Sequence, residues 1–175
     1  MRTADSYPTD DYCVFRVGRD AYAIAAGDVR EAVEAVPIVE VPQSPSCVAG
    51  LCHLRNEFVP VLSLHSLIKG TTAGDNEIRY LLVIDTNNGA WALAISQVMG
   101  LERLELASTN GSHEDTASRL FFGTASFRDE VIRVLDVNRL YRVASDFLNH
   151  MWSPESSHST SCQEIATQLS VQTVP

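Results

Sequence analysis

The sequence predicts an all-β protein with short helical turns, built as two similar small barrels side by side. Three observations lead there. Short runs of apolar and β-branched residues recur with turn residues between them, as in YCVFRV (12–17), IRYLLVIDT (78–86) and AWALAI (90–95). GLCHLRNEFVPVLSL at 50–64 has a near-copy, GTASFRDEVIRVLDV, at 123–137, with Gly50, Arg55, Glu57, Val61, Leu62 and Leu67 matched by Gly123, Arg128, Glu130, Val134, Leu135 and Leu140. The correspondence also extends upstream: Tyr22-Ala23-Ile24-Ala25 aligns with Trp91-Ala92-Leu93-Ala94, and Val29 with Val98, at an offset of 69 residues that later grows to 73. Any two alternating hairpins share some letters, but the common order of hairpin, turn, loop and hairpin favours a duplication. Each copy has about five short strands, and closing them removes sheet edges that invite aggregation.

The elements follow in order. Residues 1–10 are a polar, Pro-containing arm. In the first run Cys13, Phe15 and Val17 share one face, and Gly18-Arg19-Asp20 turns the chain into AYAIA. Val29, Ala32 and Val33 then fall at helical spacing, which predicts one helical turn opened by Asp28 as its cap. Pro37, Pro42 and Pro45 exclude a central strand over 36–46 and favour an extended segment along an edge. Residues 47–54 and 57–64 read as two strands around Arg55-Asn56, where Asn tolerates the left-handed backbone of a tight tip. SLHSLIKG closes the first unit and TTAGDNE links it to the second, in which Asn87-Asn88-Gly89 is a hairpin turn. A polar loop over 107–118 precedes the second hairpin and its trailing apolar pattern, and 149–175 reads as a flexible Ser, Thr and Gln rich tail.

Bulk properties narrow the function. A formal charge of −9 repels phosphate backbones and anionic lipid, so nucleic acid is not an expected partner. No apolar leader and no long apolar run is present, so direct membrane insertion is not expected either, and the chain should be cytoplasmic. Cys13, Cys47, Cys52 and Cys162 are scattered and read as reduced, buried small side chains, and no metal is expected. The five histidines form no HExxH or HxH group, and there is no GxSxG or Gly-rich phosphate loop, so neither catalysis nor a cofactor is expected. His53 and His65 flank the hairpin without making a recognisable metal or acid–base site.

One long run is more specific. Pro42-Gln43-Ser44-Pro45, Gly50, Leu54-Arg55-Asn56 and Val59-Pro60-Val61-Leu62-Ser63-Leu64, preceded by Tyr22-Ala23-Ile24 and Val29-Arg30-Glu31-Ala32-Val33, resembles the CheW-like coupling proteins of bacterial chemotaxis. The resemblance covers about 11–147, and the closing Val134-Leu135-Asp136-Val137 fits it too. It implies two SH3-like five-stranded β-barrel subdomains, intertwined within a domain over 11–148, the second centred on 78–135. It also implies a non-catalytic adaptor between the cytoplasmic signalling tip of a chemoreceptor and the regulatory domain of a CheA-type histidine kinase, recruited to membrane-associated receptor clusters. A same-fold adaptor in pilus motility, biofilm or surface sensing is the alternative, and a small-molecule-binding barrel a further one. Asn56 replaces the family's Gly, and Ser63, His65 and Ser96 depart from it on expected contact surfaces.

The resemblance also implies roles for residues. Glu31 and Arg55 match a carboxylate–guanidinium pair; buried, its disruption would cost about 3–5 kcal/mol, and on the surface less than about 1 kcal/mol. Val29, Val33 and Val98 are either an apolar groove for a receptor helix or ordinary core. Met99, Leu101 and Leu104 fall in the second, kinase-facing barrel. Gly50, Leu54, Asn56, Pro60 and Val61 carry the hairpin signature.

Overall fold

The computed structural model describes residues 11–69, 77–86, 89–107 and 120–151. The arm at 1–10, most of the linker, Asn87-Asn88, the polar loop after Ala107 and the tail beyond Met151 lie outside the described residues.

Twelve strands are described: β1 (Asp11–Val17), β2 (Asp20–Ala25), β3 (Val29–Glu34), β4 (Ile38–Val39), β5 (Val48–Leu54), β6 (Glu57–Leu62), β7 (Tyr80–Thr86), β8 (Gly89–Ile95), β9 (Gln97–Arg103), β10 (Leu106–Ala107), β11 (Phe121–Phe127) and β12 (Glu130–Leu135). Helix α1 (Leu64–Lys69) follows β6, and α2 (Val137–Met151) follows β12. The strands make two six-stranded mixed sheets, ordered β10-β11-β12-β2-β1-β9 and β3-β7-β8-β6-β5-β4. The sixth strand of each is the two-residue edge strand, β10 or β4, and β4 is the proline-bounded segment expected along an edge.

Each sheet draws on both sequence repeats. The hairpin β1-β2 joins β9 to β12, while β7-β8 joins β3 to β6, so the copies exchange their leading hairpins. The registers repeat as well. Val61 is opposite Ala92 and Leu62 opposite Leu93 in the parallel β6–β8 contact, and Val134 is opposite Ala23 in the parallel β12–β2 contact. Val29 faces Ile84 and Glu31 faces Val83 across a bulge, just as Val98 faces Phe15 and Gly100 faces Val14.

This exchange explains a burial pattern that simple alternation does not. Val14 and Phe15 are consecutive, yet both are fully buried. One face of each sheet encloses its own small core: Tyr12, Val14, Ala23, Ile132 and Val134 in the first, Val59, Val61, Leu81, Val83 and Ala92 in the second. The opposite faces meet in a shared core of Phe15, Ile24, Leu62, Leu82, Ile84, Leu93 and Leu135, which binds the two sheets into one body. Fully burying one such side chain contributes roughly 1.5–3 kcal/mol.

One local expectation is corrected. Residues 29–34 are a strand, preceded by a single 3-10 turn (Ala26–Asp28) whose N-terminus is Ala25 and has no side-chain cap. The helical spacing of Val29, Ala32 and Val33 arises because the inward position between the two valines is the polar Glu31, while Ala32 is exposed. The trailing apolar pattern after β12 forms a helix, α2, of 15 residues. It packs Val137, Leu140 and Val143 on the shared core.

Candidate functional site

The β5–β6 hairpin brings most of the signature residues together. Its register, Leu54 opposite Glu57, leaves a two-residue tip in which Arg55 (φ 43°) and Asn56 (φ 75°) are both left-handed. Only Asn56 was expected to be. Arg128 (φ 47°) and Asp129 (φ 65°) repeat the geometry at the β11–β12 tip, so both turns carry the primed twist that suits a tight hairpin. Gly50 is buried beneath β4, Leu54 and Val61 belong to the second sheet's own core, and Pro60 faces outward opposite Leu51. Pro60 precedes the short stretch where β6 meets β8, so its missing N–H falls where the strand has only β5 as partner.

An ionic cluster ties this tip to its neighbours. Arg55 Nη2 donates to Glu31 Oε2 at 2.7 Å. Arg55 is 72% exposed and Glu31 only 19%, so the pair is neither fully buried nor free on the surface. Arg30 Nη1 donates to Glu57 Oε2 at 3.2 Å and lies 3.6 Å from Asp85 Oδ1, while its Nε is 3.8 Å from Glu31 Oε1. The hydrogen bond and charge of Glu57 raise the Arg30 pKa further above its ordinary value. No local pattern in the sequence marks Arg30, because its partners Glu57 and Asp85 lie on distant strands.

The three valines are not one surface. Val29 and Val98 are partly buried against the shared core at equivalent places in the two repeats, whereas Val33 packs against the second sheet's own core. The second-barrel trio also divides. Leu104 is only 4% exposed within the first sheet's core, which removes it from any contact surface. Met99 packs partly against that same core, and Leu101 stands 66% exposed on β9.

A different apolar surface emerges on the outer side of β4-β5-β6. Val39 (70% exposed) is opposite Leu51, Leu51 is opposite Pro60, and His53 is opposite Phe58, which is 76% exposed and 5.2 Å from the His53 ring. The corresponding first-sheet positions hold Ala107, Thr124, Arg133, Ser126 and Val131. That face is mostly polar. The signal in the sequence is the mismatch between the copies at Leu51/Thr124 and Pro60/Arg133, whereas Phe58 and Val131 are both apolar and exposed.

The departures Ser63 and Ser96 have structural work, and burial takes Ser63 off the expected contact surface. Ser63 is buried, accepts a hydrogen bond from the Ser66 N–H at 3.3 Å and so caps α1. Asp136 does the same for α2 through the Arg139 N–H at 3.1 Å. Ser96 Oγ accepts from the Gly18 N–H and donates to the Arg16 carbonyl. His65 lines a cavity of about 290 Å³ between the sheets, together with Val17, Ile38, Ala49 and Ile95. Burial raises the Cys13 and Cys52 thiols above the ordinary thiol range, which disfavours the thiolate. Among the described residues no group of three or more His, Cys, Asp or Glu could hold a metal ion, and no described helix is long and apolar enough to cross a membrane.

Comparison with known proteins agrees with this architecture. Protein FrzA of Myxococcus xanthus is 26% identical over 145 residues, covering 81% of this chain and 91% of the relative. Chemotaxis protein CheW of Treponema pallidum (strain Nichols) is 22% identical over 134 residues, covering 73% and 79%. The crystal structure of scaffolding protein TtCheW from Thermoanaerobacter tengcongensis superposes with a TM-score of 0.65 at 18% identity, covering 78% of this chain and 91% of the other. The sequence profile of the CheW-like domain matches residues 11–145, the span that carries both sheets and their shared core, and the chain belongs to that family.

Proposed function

We propose that this chain is a non-catalytic adaptor that couples chemoreceptors to a CheA-type histidine kinase, working in the cytoplasm at membrane-associated receptor clusters. The observation that carries the reading is the outer face of Val39, Leu51, Phe58 and Pro60. Val39 and Phe58 are exposed and the half-buried Leu51 and Pro60 join them on one sheet face, and such gathered apolar side chains are characteristic of a protein-docking surface. The similarity to a chemotaxis protein and to a scaffolding protein supports the same reading. Val29 and Val98, partly exposed above the shared core, are the proposed receptor side, with Leu101 and Met99 a second kinase-facing element.

The relative called Protein FrzA favours a second reading, an adaptor of the same fold in a non-flagellar pathway such as pilus motility or surface sensing. Calorimetric titration separates the outcomes. The chain should bind the regulatory domain of a CheA-type kinase from its own organism, and Phe58→Glu should weaken that binding at least about tenfold with the unfolding temperature unchanged. Unaltered affinity in the variant removes the hairpin face; failure of the parent chain to bind removes the adaptor reading for that kinase. Val29→Glu should weaken binding of a receptor cytoplasmic fragment. A thermal shift with a small molecule, and none with either protein, would turn the assignment to a ligand-binding barrel.

A further inference from the structure

Arg30 occupies the extra position of the β3 bulge, between Val29 opposite Ile84 and Glu31 opposite Val83. A bulge re-aims the side chain it carries. Here the guanidinium reaches carboxylates on three strands: Glu31 on β3, Glu57 on β6 and Asp85 on β7. The sister sheet solves the same problem differently. There the bulge residue is Met99, the Glu31 position is Gly100 and the Asp85 position is Arg16. Arg16 reaches the hairpin acid directly, donating to Glu130 at 2.9 and 3.1 Å.

The charge reversal at Asp85 changes what the hairpin needs. An acid there cannot hold Glu57; it repels it, and a cation must stand between them. We infer that Arg30 is a positioning residue: an ionic strut, absent from the other repeat, that holds the β5–β6 hairpin and its Phe58 face against β3 and β7. Arg55 does not replace it, because among the described residues its ion pair is with Glu31 and it is itself part of the tip being held. The strut also ties the strand that carries Val29 to the hairpin that carries Phe58. The docking consequence rests on the function proposed above; the mechanical one does not.

The test uses the sister sheet as its template. Arg30→Met installs the residue of the other repeat, and adding Asp85→Arg restores a cation that can reach Glu57 directly. Amide hydrogen exchange on the full chain should show residues 54–58 opening about five- to tenfold faster in Arg30→Met. Amides of β1 and β12 should be unchanged, and the double variant should return to within about twofold of the parent. Kinase-domain affinity should fall and recover in parallel.

Unchanged tip exchange in Arg30→Met, equal acceleration throughout the fold, or no recovery in the double variant would each overturn the strut. Exchange that behaves as expected while kinase affinity stays constant would overturn its role in docking. If the parent chain binds no kinase domain, the proposed function fails, and the exchange measurements still decide the strut.

Discussion

Gly50 on β5 lies beneath the backbone of Val39 on β4, so close that a β-carbon on Gly50 would overlap the Val39 carbonyl oxygen and stand 2.8 Å from Ile38 Cγ2. Its φ of 144° is also one that L side chains rarely adopt. Gly50→Ala should therefore destabilise the chain by about 2–4 kcal/mol, combining overpacking with backbone strain. At Gly123 the nearest atom to such a β-carbon is the Ala107 carbonyl oxygen at 3.2 Å, and a small shift relieves the contact. Gly123→Ala should cost less than about 1.5 kcal/mol. Urea unfolding of the two variants checks the ordering, and equal costs would contradict it.

The helix caps give a second pair. Ser63→Ala and Asp136→Ala each remove an oxygen that accepts a first-turn N–H, and each should cost about 1 kcal/mol. Asp136→Ala should cost more than Ser63→Ala, since Asp136 also pairs with Arg139 Nε at 3.0 Å. Loss of helical circular dichroism at elevated temperature should appear earlier in the Asp136 variant.

Both hairpin tips carry non-glycine residues in the left-handed region, so relief of strain should be measurable. Asn56→Gly and Asp129→Gly should leave stability unchanged or raise it by up to about 1 kcal/mol. The same change at Leu54 removes core packing and should cost stability. Thermal unfolding distinguishes the two directions.

Asp28 supplies a pH dependence. Partial desolvation by neighbouring groups, and secondarily the charge of Asp136, raise the carboxyl of this exposed residue above the ordinary value of 3.8. The folded state therefore binds this proton more readily than the unfolded chain does. Its charged form destabilises the fold at neutral pH, and that penalty disappears as pH falls through the raised folded value toward 3.8. Asp28→Asn should raise the unfolding temperature at pH 7, with the advantage shrinking as pH approaches 3.8. An advantage that persists undiminished at low pH would assign the effect to something other than ionisation.

Much of this fold is legible in the letters, and the failures are informative. The hairpin ladders and the proline-bounded edge strand follow from local rules of turns and side-chain volume. Residues 29–34 mislead because Glu31 occupies an inward place, where it is satisfied by Arg55 from a distant hairpin. A charge that is paired only in three dimensions reads as a break in the strand pattern. Helix α2 is legible too, since Val137, Leu140 and Tyr141 fall at helical spacing. Leu104 and Phe58 are equally apolar as letters. One closes a core and the other faces outward, because burial depends on what the neighbouring strands cover.

By itself the sequence determined the leading and signature hairpins, the duplication and the resemblance to the family, because each rests on residue identity and spacing along the chain. Only the tertiary structure decided that the two copies trade their leading hairpins, that Ser63 and Ser96 serve the fold, and that Arg30 joins three strands. The physical reason is the duplication itself. Two near-identical hairpins satisfy the same local hydrogen bonds and alternation with either partner, so their choice is made by the shared core that forms only when both sheets close on it.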